Sequence, residues 1–75
     1  MSKFYVGYKQ GNEEYVYVAG IDTNNVKIST TIEGAMSFTD IGQAEYLRDI
    51  AETIVLNQEY KVLKITIDIE DMEAI

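Results

Sequence analysis

The chain contains no histidine, cysteine, tryptophan or proline. Without cysteine there is no disulfide framework, and without cysteine and histidine there is no zinc site of the usual kind. Ser2, Ser29 and Ser37 have no histidine to activate them as nucleophiles. The five glycines are scattered along the chain and form neither a phosphate-cradling loop nor a dinucleotide fingerprint. Bases are few: six Lys and Arg stand against 13 Asp and Glu, a formal net charge of −7. Contact with a nucleic-acid backbone requires Lys and Arg to displace counterions, so direct nucleic-acid binding is not expected. No apolar run approaches the roughly 18 residues of a membrane span. Met1-Ser2-Lys3-Phe4 runs straight into a strand pattern without a secretory leader, which sets the expectation of a cytoplasmic protein.

What is present reads as a single domain over residues 1–75 with one small core. A domain this small gains from a staple, and with disulfides and zinc removed the remaining one is self-association, so a homodimer is expected. Alternating patterns mark strands at about residues 3–9, 14–19, 26–32 and 60–70. Gln10-Gly11-Asn12-Glu13 supplies a tight turn, with Gly11 free to take a positive φ. Asp22-Thr23-Asn24-Asn25 supplies the second turn. Ala44, Leu47, Ile50, Ala51 and Ile54, with Ile41 upstream, recur at helical spacing over about residues 40–57. Asp40 stands at the capping position, with Gln43 three residues on. Residues 71–75 read as an acidic tail.

The order β-β-β-α-β gives an α+β fold. Three strands form an antiparallel meander, and the helix returns the chain to place the fourth strand beside the first. The expected sheet has four strands in the order 3-2-1-4, mostly antiparallel, with the fourth parallel to the first and one helix packed on one face. In that phase Phe4, Val6, Val16, Val18, Ile28 and Ile65 meet the helix. The other face carries Tyr5, Tyr15 and Tyr17, with Lys64 and Thr66 nearby, and has no second layer.

Two surfaces follow as candidates. Glu45, Asp49 and Glu52 on the outer face of the helix, with Asp71 and Glu73 beyond the last strand, offer carboxylates to a basic protein partner, in the manner of phosphates held by Lys and Arg pockets. The same charges also serve solubility. Tyr5, Tyr15 and Tyr17 form a self-association face, because a tyrosine couples a large apolar body to a polar tip. The alternative for these tyrosines is cross-strand pairing on a solvated sheet. As a stacking platform for single-stranded nucleic acid they lack a basic rim. Chemistry is confined to the carboxylates Asp68, Glu70, Asp71 and Glu73, whose oxygens suit Mg²⁺ or Ca²⁺, but no calcium-loop spacing accompanies them and a solvated acidic end is the simpler reading. No enzyme activity, cofactor or metal is expected.

The segment Ala35-Met36-Ser37-Phe38-Thr39-Asp40, followed by Gln43-Ala44 opening a helix, resembles small accessory proteins of phages and prophages of Gram-positive bacteria. Ala35, Phe38, Thr39, Gln43 and Ala44 carry the likeness; Gly42-Gln43 stands where those proteins place Glu-Glu. This is a helix-entry pattern, and no site residue is transferred by it. The resemblance implies a non-enzymatic protein-binding module acting in the cytoplasm of a host cell. Some such proteins block host nucleic-acid-handling defences, as anti-CRISPR proteins and restriction inhibitors do. The residue pattern leaves two alternatives open: a self-associating assembly module, or a small-ligand binder at a subunit interface.

Overall fold

A computed structural model of the chain describes residues 2–11, 14–66 and 71–75. Within them lie strands β1 (Ser2–Gln10), β2 (Glu14–Asp22) and β3 (Asn25–Ser29), a 3-10 turn (Ile32–Gly34), helix α1 (Ile41–Ile54), and strands β4 (Lys61–Thr66) and β5 (Asp71–Ala74). The strands form one antiparallel sheet in the order β3-β2-β1-β4-β5. The α+β class and the order 3-2-1-4 are therefore as expected, with a fifth strand added at the edge.

Local chemistry sets the turns. Gly11 opens the first hairpin at φ 60, a conformation that costs a side-chain-bearing residue energy, with Gln10 opposite Glu14. In the second hairpin Asp22 lies opposite Asn25, and the Asp22 carboxylate accepts from the Thr23 N–H at 2.8 Å. β2 runs past Gly20 to Asp22 because the register shifts between Val18 and Gly20, a bulge that lets the strand bend and continue. The Asp40 carboxylate accepts from the Gly42 N–H at 3.2 Å and caps α1, which ends at Ile54, three residues earlier than expected. Gly7 is required where it stands: a Cβ there would collide with the Val16 carbonyl oxygen on the neighbouring strand.

The route from β3 to α1 departs from expectation. β3 stops at Ser29, whose hydroxyl donates to the Thr31 carbonyl at 2.8 Å and accepts from the Thr31 N–H at 3.1 Å, turning the chain off the sheet edge. Ile32 and Ala35 then pack on the tyrosine face. Next, Met36 donates its N–H to the Val18 carbonyl at 3.0 Å, and Phe38 exchanges both backbone bonds with Phe4 at 2.7 and 2.9 Å. Met36 and Phe38 pack in the cluster beneath the helix. The chain thus passes through the sheet between β1 and β2, from one face to the other.

This pass corrects the direction of β4. Phe38 runs antiparallel to Phe4, so the connection has travelled along β1 once before the helix starts, and β4 arrives antiparallel to β1 instead of parallel. The long fourth strand is also corrected. β4 ends at Thr66, and Asp71 to Ala74 lies back along it with Thr66 opposite Asp71. Residues 67–70 of the expected strand lie outside the described residues.

Both faces of the sheet are cores. Val6, Val18, Val26 and Val62 meet Ala44, Leu47 and Ala51 of α1, with Tyr60. On the far side Tyr5, Tyr17, Leu63 and Ile65 pack together, with Tyr15, Ile32 and Ala35 against them. The phase of β4 is therefore opposite to expectation: Val6 pairs with Val62, which puts Val62 beneath the helix and Leu63 and Ile65 among the tyrosines. Ile28, expected in the helix-side core, remains 44% exposed on edge strand β3.

Candidate functional site

The outer surface of α1 is built by the same periodicity that buries Ala44, Leu47 and Ala51. At 3.6 residues per turn, Gly42, Glu45, Tyr46, Asp49 and Thr53 fall within an arc of about 100° and all are exposed. The structure brings Glu45 and Asp49 together on this arc, with Glu52 at its margin and half-buried. Asp49 is engaged: its Oδ1 accepts from Arg48 Nε at 3.3 Å and from the Arg48 terminal nitrogen at 3.2 Å. An exposed pair of this kind contributes only ~0.2–1 kcal/mol and does not fix the carboxylate.

Two residues on this surface were not anticipated. Tyr46 is 70% exposed, and Leu56, in the turn just after the helix, is 82% exposed. Both lie off the buried stripe, and that offset is the signal by which the sequence could have shown them. A large exposed aromatic on the same arc as two carboxylates is the composition of a contact surface rather than of a purely solvated one.

Asp71 and Glu73 do not share the helix. They belong to β5, the sheet edge, so the expected tail is a strand. Glu73 faces Lys64 across the ladder, with Nζ 3.8 Å from Oε1. The Asp71 side chain, together with Asp68 and Glu70 of the proposed carboxylate group, lies outside the described residues.

The tyrosine face is not the bare surface expected. Tyr5 is 7% exposed and Tyr17 8%, their rings edge to face with centroids 6.3 Å apart. Tyr15 is half-buried, with the Lys9 ammonium 5.7 Å from its ring centroid. Lys64, expected on this face, lies on the other. In its place the sheet pairing gathers Lys3, Lys9, Lys27 and Lys61 here, four of the six bases in the chain. The tyrosines therefore do have a basic rim, although the rings of Tyr5 and Tyr17 are too buried to offer free stacking surfaces.

Between this rim and the 3-10 turn lies an open hollow of about 750 Å³. Ile32, Ala35, Ile65 and Met72 give it an apolar lining, with Tyr5 and Tyr17 alongside. The Tyr17 hydroxyl donates to the Met72 sulfur at 3.9 Å, a weak bond. Burial pushes the Tyr17 pKa above its ordinary value near 10, and neighbouring Tyr15 and Tyr5 push the same way. Tyr60, on the helix side, is raised by burial and then by Tyr8, with which it forms an edge-to-face pair at 5.4 Å.

The molecule is thus a small α+β protein with exposed carboxylates on the outer helix and four lysines, along with Glu33 and Glu59, on the tyrosine side. Comparison with protein-family models, with curated proteins and with solved structures finds no match. Among the described residues no helix is long and apolar enough to cross a membrane.

Proposed function

We propose that the protein is a non-enzymatic binding module that docks a basic protein partner on the outer face of α1. The observation that carries this reading is the exposure of Tyr46 on the same helix arc as Glu45 and Asp49, with Leu56 exposed just past the helix end. Exposed aromatic and aliphatic groups supply the contact that survives desolvation, and the carboxylates steer a basic surface onto them. In its most specific form the partner is a host nucleic-acid-handling defence protein, such as a CRISPR or restriction nuclease, whose phosphate-binding Lys and Arg accept these carboxylates. The resemblance of residues 35–44 to phage accessory proteins supports that form, as does the net charge of −7. Self-association through Tyr5, Tyr15 and Tyr17 has less surface to work with, because Tyr5 and Tyr17 are already spent in the protomer's own core.

The test is affinity capture from a bacterial lysate with three baits: the native protein, Glu45→Lys/Asp49→Lys and Tyr46→Ser/Leu56→Ser. The expected result is a stoichiometric nucleic-acid-binding protein that leaves in high salt and is missing from both variants. Capture of the same protein by all three baits, unchanged by salt, would mean that α1 is not the docking surface.

A further inference from the structure

The hollow on the tyrosine face lies on the opposite side of the sheet from α1 and plays no part in docking there. Its size falls within the roughly 300–1,000 Å³ of small-molecule sites, and its lining is open and about equally apolar and polar, with Lys3, Glu33 and Ser37 beside the apolar walls. Three features define what fits. The walls, Ile32, Ala35, Ile65 and Met72, suit an apolar or aromatic body. The phenols of Tyr5 and Tyr17 are buried at their rings and line the hollow; among the described residues the Tyr5 hydroxyl has no hydrogen-bond partner, and that of Tyr17 has only a thioether. No buried side-chain polar atom among the described residues lacks a partner, so the Tyr5 hydroxyl reaches solvent and is free to donate to a ligand instead of water. The third feature is charge. Lys3 lines the hollow, and Lys9, Lys27 and Lys61 stand on the same face, with Lys61 3.9 Å from Glu59. Glu33 also lines the hollow and opposes an anion, which confines a carboxylate to the Lys3 side.

We propose that this hollow binds a small carboxylic acid with an apolar body, its carboxylate held by Lys3 and the tyrosine hydroxyls and its body against Ile32, Ile65 and Met72. Both phenols keep their protons at neutral pH, as any tyrosine does, and are donors there. The site does not depend on the helix-face reading, and either can fail alone.

The experiment is a titration of the ¹⁵N-labelled protein with phenylacetate and with octanoate, followed by amide shifts, with phenylacetamide as the uncharged control. Saturable shifts are expected at Lys3, Tyr5, Tyr17, Ala35 and Met72, with phenylacetamide about tenfold weaker, as loss of one charge-assisted hydrogen bond implies. Lys3→Met should weaken phenylacetate about tenfold, while Glu33→Gln, which removes the opposing carboxylate, should tighten it. These opposite signs separate the proposal from general loosening of the fold. Absence of saturable shifts with either acid up to about 10 mM, an affinity too weak to matter, would overturn it. So would equal binding of phenylacetate and phenylacetamide, which would reduce the hollow to a greasy cleft.

Discussion

The two faces of the sheet are covered in different ways. A 14-residue helix seals one, with Ala44 and Ala51 small enough to bring it down onto Val6, Val18 and Val62. A three-residue turn and the sheet's own tyrosines cover the other, and they leave a hollow. A helix delivers a continuous apolar stripe, so its face closes. Tyrosines cover themselves with their rings but bring hydroxyls that must stay near solvent or a partner, so their face closes only partly. The helix side is therefore the closed core, whereas the tyrosine side keeps an open hollow.

The sharpest way to break this comparison is to truncate one leucine on each side. Leu63 on the tyrosine face is fully buried and Leu47 on the helix face nearly so. Leu63→Ala and Leu47→Ala should each destabilise by about 2–5 kcal/mol in urea denaturation. If Leu63→Ala costs less than about 1 kcal/mol, the tyrosine face is not a core. Next in size is Gly7→Ala, expected to cost about 1–3 kcal/mol because the strands must part to admit the methyl group beside Val16. An unchanged denaturation midpoint would show that β1 and β2 approach less closely than described.

The smallest effect is alkaline. Each face holds one tyrosine whose pKa is raised by burial, Tyr17 on one side and Tyr60 on the other. The unfolded state releases these protons near pH 10, the folded state at higher pH. Stability is therefore fully present below pH 10 and falls as pH rises through the folded values. Tyr17→Phe and Tyr60→Phe should each flatten part of that decline in thermal melts between neutral pH and pH 11 or so. A decline equally steep in both variants would place the alkaline sensitivity elsewhere.

Much of this architecture could be read from the residues, where the determinants are local. Asp40 as cap, Gly11 at positive φ, the Ala44-Leu47-Ala51 stripe and the 3-2-1 meander rest on neighbours within a few positions or on short connections, and the place of β4 beside β1 follows from the crossover rule. The phase of β4 does not. Val62, Leu63 and Ile65 offer apolar side chains to both faces, so alternation alone does not choose between them, and the choice is made by Val6 opposite Val62. The same holds for the pass through the sheet, which depends on Phe4 finding Phe38. At the surfaces, the row of Glu45 and Asp49 was legible from helical spacing. Tyr46 and Leu56 were overlooked because single exposed apolar residues are common, and the gathering of lysines was hidden because they come from three different strands.

The position of β1 also bears on how the protein is made. It sits at the middle of the sheet, yet β4, its neighbour on one side, is synthesised only after nearly the whole intervening chain. Until then the meander β1-β2-β3 presents an unpaired strand edge and two incompletely covered apolar faces, the state in which chains adhere to one another. Completion of the sheet consequently waits on Lys61–Thr66, and a nascent chain stalled before Lys61 would leave the β1 edge unpaired.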